Sequence, residues 1–184
     1  MKQGDTNPAS LADVQALRDR ARRDVAAGAV TAGYQADREI VLKLLNEALA
    51  TELVCVLRYR RHHFMAKGTA SRSVGDEFME HAQEEQEHAD RIAERIVQLD
   101  GQPDFSPQSL AARSHSEYVE GVSLEDMIAE DLVAERIAID SYRGIIQYLG
   151  DKDPTSRRMM EEILAKEEEH ADELANLLQD FPQH

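Results

Sequence analysis

Two seven-residue strings decide how this chain folds: EEQEHAD at 84–90 and KEEEHAD at 166–172. Each contains a Glu-x-x-His pair, Glu85/His88 in the first and Glu167/His170 in the second. Ahead of each pair stands a lone glutamate, Glu52 and Glu135, at lags of 33 and 32 residues. A tyrosine follows each lone glutamate by seven positions, Tyr59 after Glu52 and Tyr142 after Glu135. One pattern therefore occurs twice, with its copies 82 or 83 residues apart. Positions three apart on a helix share a face, so each Glu-x-x-His can grip one cation. Four carboxylates and two imidazoles presented by four helices form the ligand set of a two-metal centre inside a bundle.

A Glu-x-x-His on its own has little weight, because 20 glutamates and 7 histidines supply about one such pair by chance. The weight comes from the repetition and from where the lone glutamates fall. Glu52 sits on an apolar stripe through Val41, Leu45, Ala48, Cys55, Tyr59 and His63, spaced three or four apart. Glu135 has Leu132 and Ala138 as its stripe neighbours. An unpaired carboxylate buried there costs several kcal/mol or has its pKa driven upward. Four carboxylates with two neutral imidazoles carry a charge that two divalent ions would cancel. A salt-bridged core is the competing explanation. Oxygen and imidazole donors with few thiolates suit iron or manganese, and zinc can occupy such a set.

The residues around this set receive plainer readings. Tyr59 lies two turns beyond Glu52, where a phenol could donate an electron or hydrogen-bond a ligand; a core tyrosine with a satisfied hydroxyl is the alternative. Tyr142 reads as structural. Glu84, Glu87, Glu168, Glu169, His81 and Asp131 read mostly as solvated face, with one or two at most beside the site. His62 and His63 close their helix and read as surface or helix-dipole residues.

Helix and loop signals divide the chain into an N-terminal extension, 1–36, and a bundle, 37–180. The extension holds a short helix over about 10–28, opened by a cap-like Ser10/Asp13 pair and closed by Gly28. Four longer helices follow, at about Asp37–Ala66, Ser71–Leu99, Ser123–Gly150 and Asp153–Asp180. Short links of about five residues force two antiparallel hairpins. The middle connection, GQPDFSPQSLAARSHSEYVEG, has 21 residues. It can reach about 70 Å, whereas a 28-residue helix is about 42 Å long. The expected fold is therefore all-α: an antiparallel four-helix bundle with one long crossover, plus an extra N-terminal helix.

Composition narrows the function. A length of 184 residues suits one domain with a real core. The net charge of −15 argues against nucleic-acid binding, which needs clustered Lys and Arg, and suits a protein whose solute is a cation. The basic residues among the first 38 are balanced by aspartates, so no DNA-binding tail is expected. Cys55 is the single cysteine, which points to a reducing compartment. No signal segment or membrane span is visible, and a cytoplasmic location is expected.

These motifs resemble the bacterioferritin and Dps-like branch of the ferritin superfamily. The likeness covers about Asp37 to Leu178, and the family's ferroxidase pattern matches Glu52, Glu85, His88, Glu135, Glu167 and His170 one for one, with its tyrosine at Tyr59. The resemblance implies a ferritin-like bundle that binds two Fe ions per subunit (Mn or Zn as substitutes). It also implies Fe(II) oxidation with O2 or H2O2, and a hollow homo-oligomer that stores ferric mineral. Gln86 stands where bacterioferritins place a haem-ligating methionine, so haem is not expected. The chain stops four residues after Asp180, leaving no room for the fifth helix of 24-subunit shells; a twelve-subunit shell is expected. Thioferritins of the Dps-like kind pair two cysteines beside the site, and Cys55 has no partner. The runner-up function is a di-iron oxygenase or hydroxylase acting on a small organic substrate. A structural bundle with a zinc-filled or vestigial site ranks third.

Overall fold

Asp37 starts the bundle, its carboxylate accepting from the backbone N–H of Glu39 and Ile40 at 3.1 and 3.3 Å. Those amides have no partner within the first helical turn, so the cap satisfies them. The computed structural model describes residues 13–23, 25–68 and 71–181. It divides into two units, 1–34 and 35–184.

The first unit holds α1 (Val14–Ala21) and a 3-10 turn at Val25–Ala27. This is shorter than the expected 10–28. Asp13 itself is the cap, accepting from Ala16 N at 2.9 Å. None of the helix's residues is buried, and so short a helix is marginal by itself. Ser10, expected in the cap, lies outside the described residues.

The second unit contains α2 (Arg38–Met65), α3 (Arg72–Gln98), α4 (Leu110–Arg113), α5 (Leu124–Leu149) and α6 (Pro154–Gln179), with no strand among the described residues. Ser123 and Asp126 form a reciprocal capping box at the start of α5. Asp153 caps α6 with Pro154 at its first position. α2 packs on α3 and α5 on α6, and α2–α5 and α3–α6 contacts close the bundle. At one end Leu45, Leu49, Ile92, Ile96, Leu149 and Met160 are fully buried. At the other, Tyr59, Phe78, Met127, Ile128 and Leu174 form an apolar cluster with Cys55. The first half of α2 thus lies against the second half of α5, and the two run antiparallel.

The crossover travels the length of the bundle along α2, and α2 holds it by its backbone. Asn46 accepts from Asp104 N at 2.8 Å, Thr51 from His115 N at 3.0 Å, and Arg61 donates to Glu120 O at 2.8 Å. The crossover also contains the single turn α4, which its composition did not signal. At Gly101 a Cβ would stand 2.3 Å from Leu42 Cδ2, so a larger residue where the chain leaves α3 would push the Leu42 side chain aside.

A buried ion pair joins α2 to α5. Arg58 Nε donates to Asp131 Oδ1 at 2.7 Å and Nη1 to Glu117 O at 2.8 Å. His62 bridges Asp131 Oδ2 at 2.8 Å and Glu120 O at 3.1 Å. Two expectations fail here: Asp131 is not solvated face, and His62 is not a surface residue, for both are fully buried. The apolar stripe of α2 passes through His62 rather than His63, which is half-buried and bonds Gly75 O. Removing one member of a buried pair strands the other charge, at a cost of about 3–5 kcal/mol. Arg58→Met should therefore lower the melting temperature sharply, and adding Asp131→Leu should recover much of the loss. An Arg58→Met protein that melts like wild type would show that the pair is not what joins these helices.

Candidate metal centre

The six residues singled out by the repeat come together between the four helices. α2 supplies Glu52, α3 supplies Glu85 and His88, α5 supplies Glu135, and α6 supplies Glu167 and His170. None is more than 5% exposed. Mid-helix placement on the inward stripe explains this: each Glu-x-x-His lies on one face, and the antiparallel packing brings all four helix midpoints to one level.

Their donor atoms sort into two overlapping groups of four. Glu52, Glu85, His88 and Glu167 offer atoms lying within 4.8 Å of one another, and so do Glu85, Glu135, Glu167 and His170. Glu85 and Glu167 belong to both. His88 Nδ1 lies 2.9 Å from Glu167 Oε1 and 3.4 Å from Glu52 Oε2. His170 Nδ1 lies 3.2 Å from Glu85 Oε1 and 3.6 Å from Glu167 Oε2. Close as they are, both Nδ1 atoms lack an aligned hydrogen bond, as do Glu52 Oε2, Glu85 Oε1, Glu135 Oε2 and both Glu167 oxygens. Buried polar atoms without partners are costly. Seven facing one another are satisfied by cations set between them, so the donors fit two metal ions, each with one histidine and one private carboxylate, and two shared carboxylates.

A ring of further residues orients this set. Tyr59 OH donates to Glu135 Oε1, and Tyr142 OH donates to Glu52 Oε1. Each phenol serves the carboxylate of the other hairpin. Burial, then the adjacent carboxylates, push both phenols well up, so they remain donors. Tyr142, expected to be structural, stands to Glu52 as Tyr59 stands to Glu135. His170 Nε2 bonds Glu84 Oε2 at 2.7 Å, and Lys166 meets Glu84 Oε1 at 3.1 Å. His81 stacks on His170 with ring centroids 4.0 Å apart. Glu84 and His81 are therefore part of the site's surroundings, not solvated face. The spacing 81, 85, 88 places His81 on the ligand stripe, a signal the repeat overshadowed. Cys55 is buried, with Arg58 Nη2 3.6 Å from its sulfur, and burial pushes the thiol well up.

The electrostatics follow from burial. Desolvation, then the Glu85 charge, pushes the Glu52 carboxyl up to about 8. Desolvation, then Glu85 and Glu167, pushes Glu135 well up as well. Burial opposes charging the histidines, but the carboxylates around them prevail: His170 is pushed up to about 12 and His88 is raised too. For Glu167, burial and the Glu52 charge are outweighed by the adjacent His170 and His88 imidazoles, which hold it below the usual range. Without metal, protons on His88, His170, Glu52 and Glu135 would balance the charge that two divalent ions would otherwise balance.

The Ferritin-like domain family matches residues 42–183, and the chain belongs to that family. It is 33% identical over 139 residues to the bacterioferritin of Mycobacterium leprae, covering 75% of this chain and 83% of that one. To the nutrient stress-induced DNA-binding protein of Nostoc sp. it is 35% identical over 139 residues, covering 73% and 74%. Among solved structures, the dodecameric thioferritin of Bacteroides fragilis, a bacterioferritin-related protein, gives a TM-score of 0.76 at 31% identity, covering 79% and 88%. Dps from Thermosynechococcus elongatus gives 0.73 at 23% identity over 76% and 90%, a likeness of fold alone. These relatives place the chain in the bacterioferritin and Dps-like branch. No helix among the described residues is long and apolar enough to cross a membrane.

Glu52 raised from 4.5 to about 8 and His170 raised from 6.5 to about 12 both make the folded chain hold protons the unfolded chain has released. The chelator-treated protein should therefore lose stability as pH rises through these windows, beginning above about 4.5 for Glu52. Melting temperature should fall from pH 5 to 9, and saturating Mn(II) or Zn(II) should stabilise most at the alkaline end, where the Glu52 proton no longer competes. A melting temperature that climbs with pH in metal-stripped protein would contradict the proton assignment. Tyr59→Phe and Tyr142→Phe should weaken binding of the first two Mn(II) ions to similar extents, as isothermal titration would show.

Proposed function

We propose that this protein is a ferroxidase that stores and detoxifies iron. The observation that supports it best is the pair of overlapping donor groups, each with its own histidine and private carboxylate, joined through Glu85 and Glu167. Glu52 and His88 would hold one Fe(II), Glu135 and His170 the other, and Glu85 and Glu167 would bridge them. Held this way, two one-electron donors stand within one enclosure. Each Fe(II) gives up one electron as it becomes Fe(III). The two electrons and two protons convert O2 to H2O2, or H2O2 to two waters.

The protein's own groups have definite tasks in this scheme. The shared carboxylates keep two like-charged ions close and take up the extra charge as they oxidise. Tyr59 and Tyr142 orient the private carboxylates, and Tyr59 is the candidate electron donor of the family pattern. Glu84 fixes the ring of His170 by holding its Nε2. Manganese or zinc would fit the same donors, but only a metal with two accessible oxidation states supports the reaction.

Storage requires a container. A bacterioferritin-related relative is dodecameric, and twelve 20.7 kDa chains would form a shell of about 250 kDa. The organic-substrate hydroxylase reading has no observation of its own here. None of the six site residues lines the surface groove formed by Asp90, Ala93, Glu94, Val97, Gln98 and Pro103.

Glu52→Ala and His170→Ala should each slow Fe(II) oxidation by at least about 100-fold while the helical circular-dichroism signal persists. Aerobic loading should place hundreds of iron atoms in each wild-type shell. Undiminished oxidation in both variants would exclude the assigned centre; two iron atoms per chain and no more would exclude storage.

A further inference from the structure

His81 belongs to two neighbourhoods at once. Its face stacks on His170 and its edge meets Tyr59, with ring centroids 5.2 Å apart. With Glu135 and His170 it forms one group of donors lying within 4.8 Å of one another. Its Nε2 reaches Glu173 Oε2 at 3.0 Å and Glu77 Oε1 at 3.8 Å. These three form a second such group. Glu77 and His81 stand one turn apart on α3, and Glu173 comes across from α6.

Exposure separates this trio from an ordinary acidic patch. The Glu77 and Glu173 side chains are 35% and 41% exposed, whereas that of His81 is 1% exposed. A buried imidazole thus reaches out to two solvent-washed carboxylates, and its Nδ1 has no hydrogen-bond partner. Two carboxylates and a neutral imidazole carry the charge that one divalent ion cancels. Bonds of about 2.0–2.2 Å to a single ion set donors up to about 4.4 Å apart, and the separations from Nε2 lie inside that limit. Nitrogen and oxygen donors together suit Fe(II), Mn(II) or Zn(II) rather than magnesium. Glu80 and Glu84 continue the same face of α3 beside the trio.

We infer that Glu77, His81 and Glu173 form a third cation site for one divalent transition metal, at the solvent-facing edge between α3 and α6, and that ions pass from it to Glu135 and His170. The existence of this site stands on its own donors; its role as a stage in iron delivery rests on the ferroxidase reading. The outer trio and the inner group have the His81 imidazole in common.

The test uses the full-length protein with Mn(II) as probe, located by anomalous diffraction and counted by titration. Wild type should bind three ions per chain, one of them between His81, Glu77 and Glu173. In Glu77→Gln/Glu173→Gln the outer ion should disappear or bind at least about tenfold more weakly, with the two inner ions kept. Both substitutions lie at half-exposed positions and preserve side-chain shape, so folding should survive. At sub-saturating Fe(II) the double variant should oxidise iron more slowly, yet match wild type once the two inner sites are prefilled. Inner peaks without an outer one in wild type would overturn this inference and leave the ferroxidase reading intact. An outer peak without inner ones would do the reverse. A double variant with an unchanged delivery rate would overturn the transfer role.

Discussion

Burying four carboxylates at one level of a helical bundle is the constraint from which the rest of this structure follows. Glu52, Glu85, Glu135 and Glu167 would repel one another in a medium that screens little. Their charge has to be met by two histidines and by cations, or by protons when cations are withheld. The neighbouring structure serves that need. Tyr59 and Tyr142 each bond one oxygen of a lone glutamate, Glu84 holds the outward nitrogen of His170, and apolar residues close the bundle on either side of the level. A core of this kind gives up some stability for a defined site, in keeping with the general cost of buried charge.

α2 does more than its share of the positioning. One face contributes Glu52 and Tyr59 to the centre. It also binds the crossover through Asn46, Thr51, Arg58, Arg61 and His62. The long connection is thereby a bound strap and not a slack loop, and it carries the chain to the point where α5 must begin. Arg58 and Asp131 then tie α2 directly to α5, Arg58 standing next to Tyr59 in sequence and Asp131 one turn before Glu135.

Much of this was legible in the residues alone. Asp37, Ser123, and Asp153 followed by Pro154 announce helix starts by local chemistry, and the doubled pattern identifies the six inward side chains without any structure. What stayed hidden shares a physical cause. His81, Glu84, Asp131 and Tyr142 owe their roles to contacts across helices, and those depend on the rotation and axial offset that packing sets. Spacing within a helix says which face a residue occupies, but not what faces it. The N-terminal helix is shorter than its pattern suggests because charged residues of good helix propensity also occur where no residue is buried. The single turn of α4 was missed because a four-residue helix has no periodicity to detect.

The reciprocal phenol bonds have one more implication. Tyr142 meets Glu52 and Tyr59 meets Glu135, so two antiparallel rods are keyed at two points seven residues apart. Sliding α5 by one turn, about 5.4 Å, would set Glu52 against Ala138 in one direction or Ile146 in the other, and no donor would face it. The polar pair thus acts as a detent between greasy surfaces that would otherwise glide past each other, selecting a single alignment when the two hairpins dock.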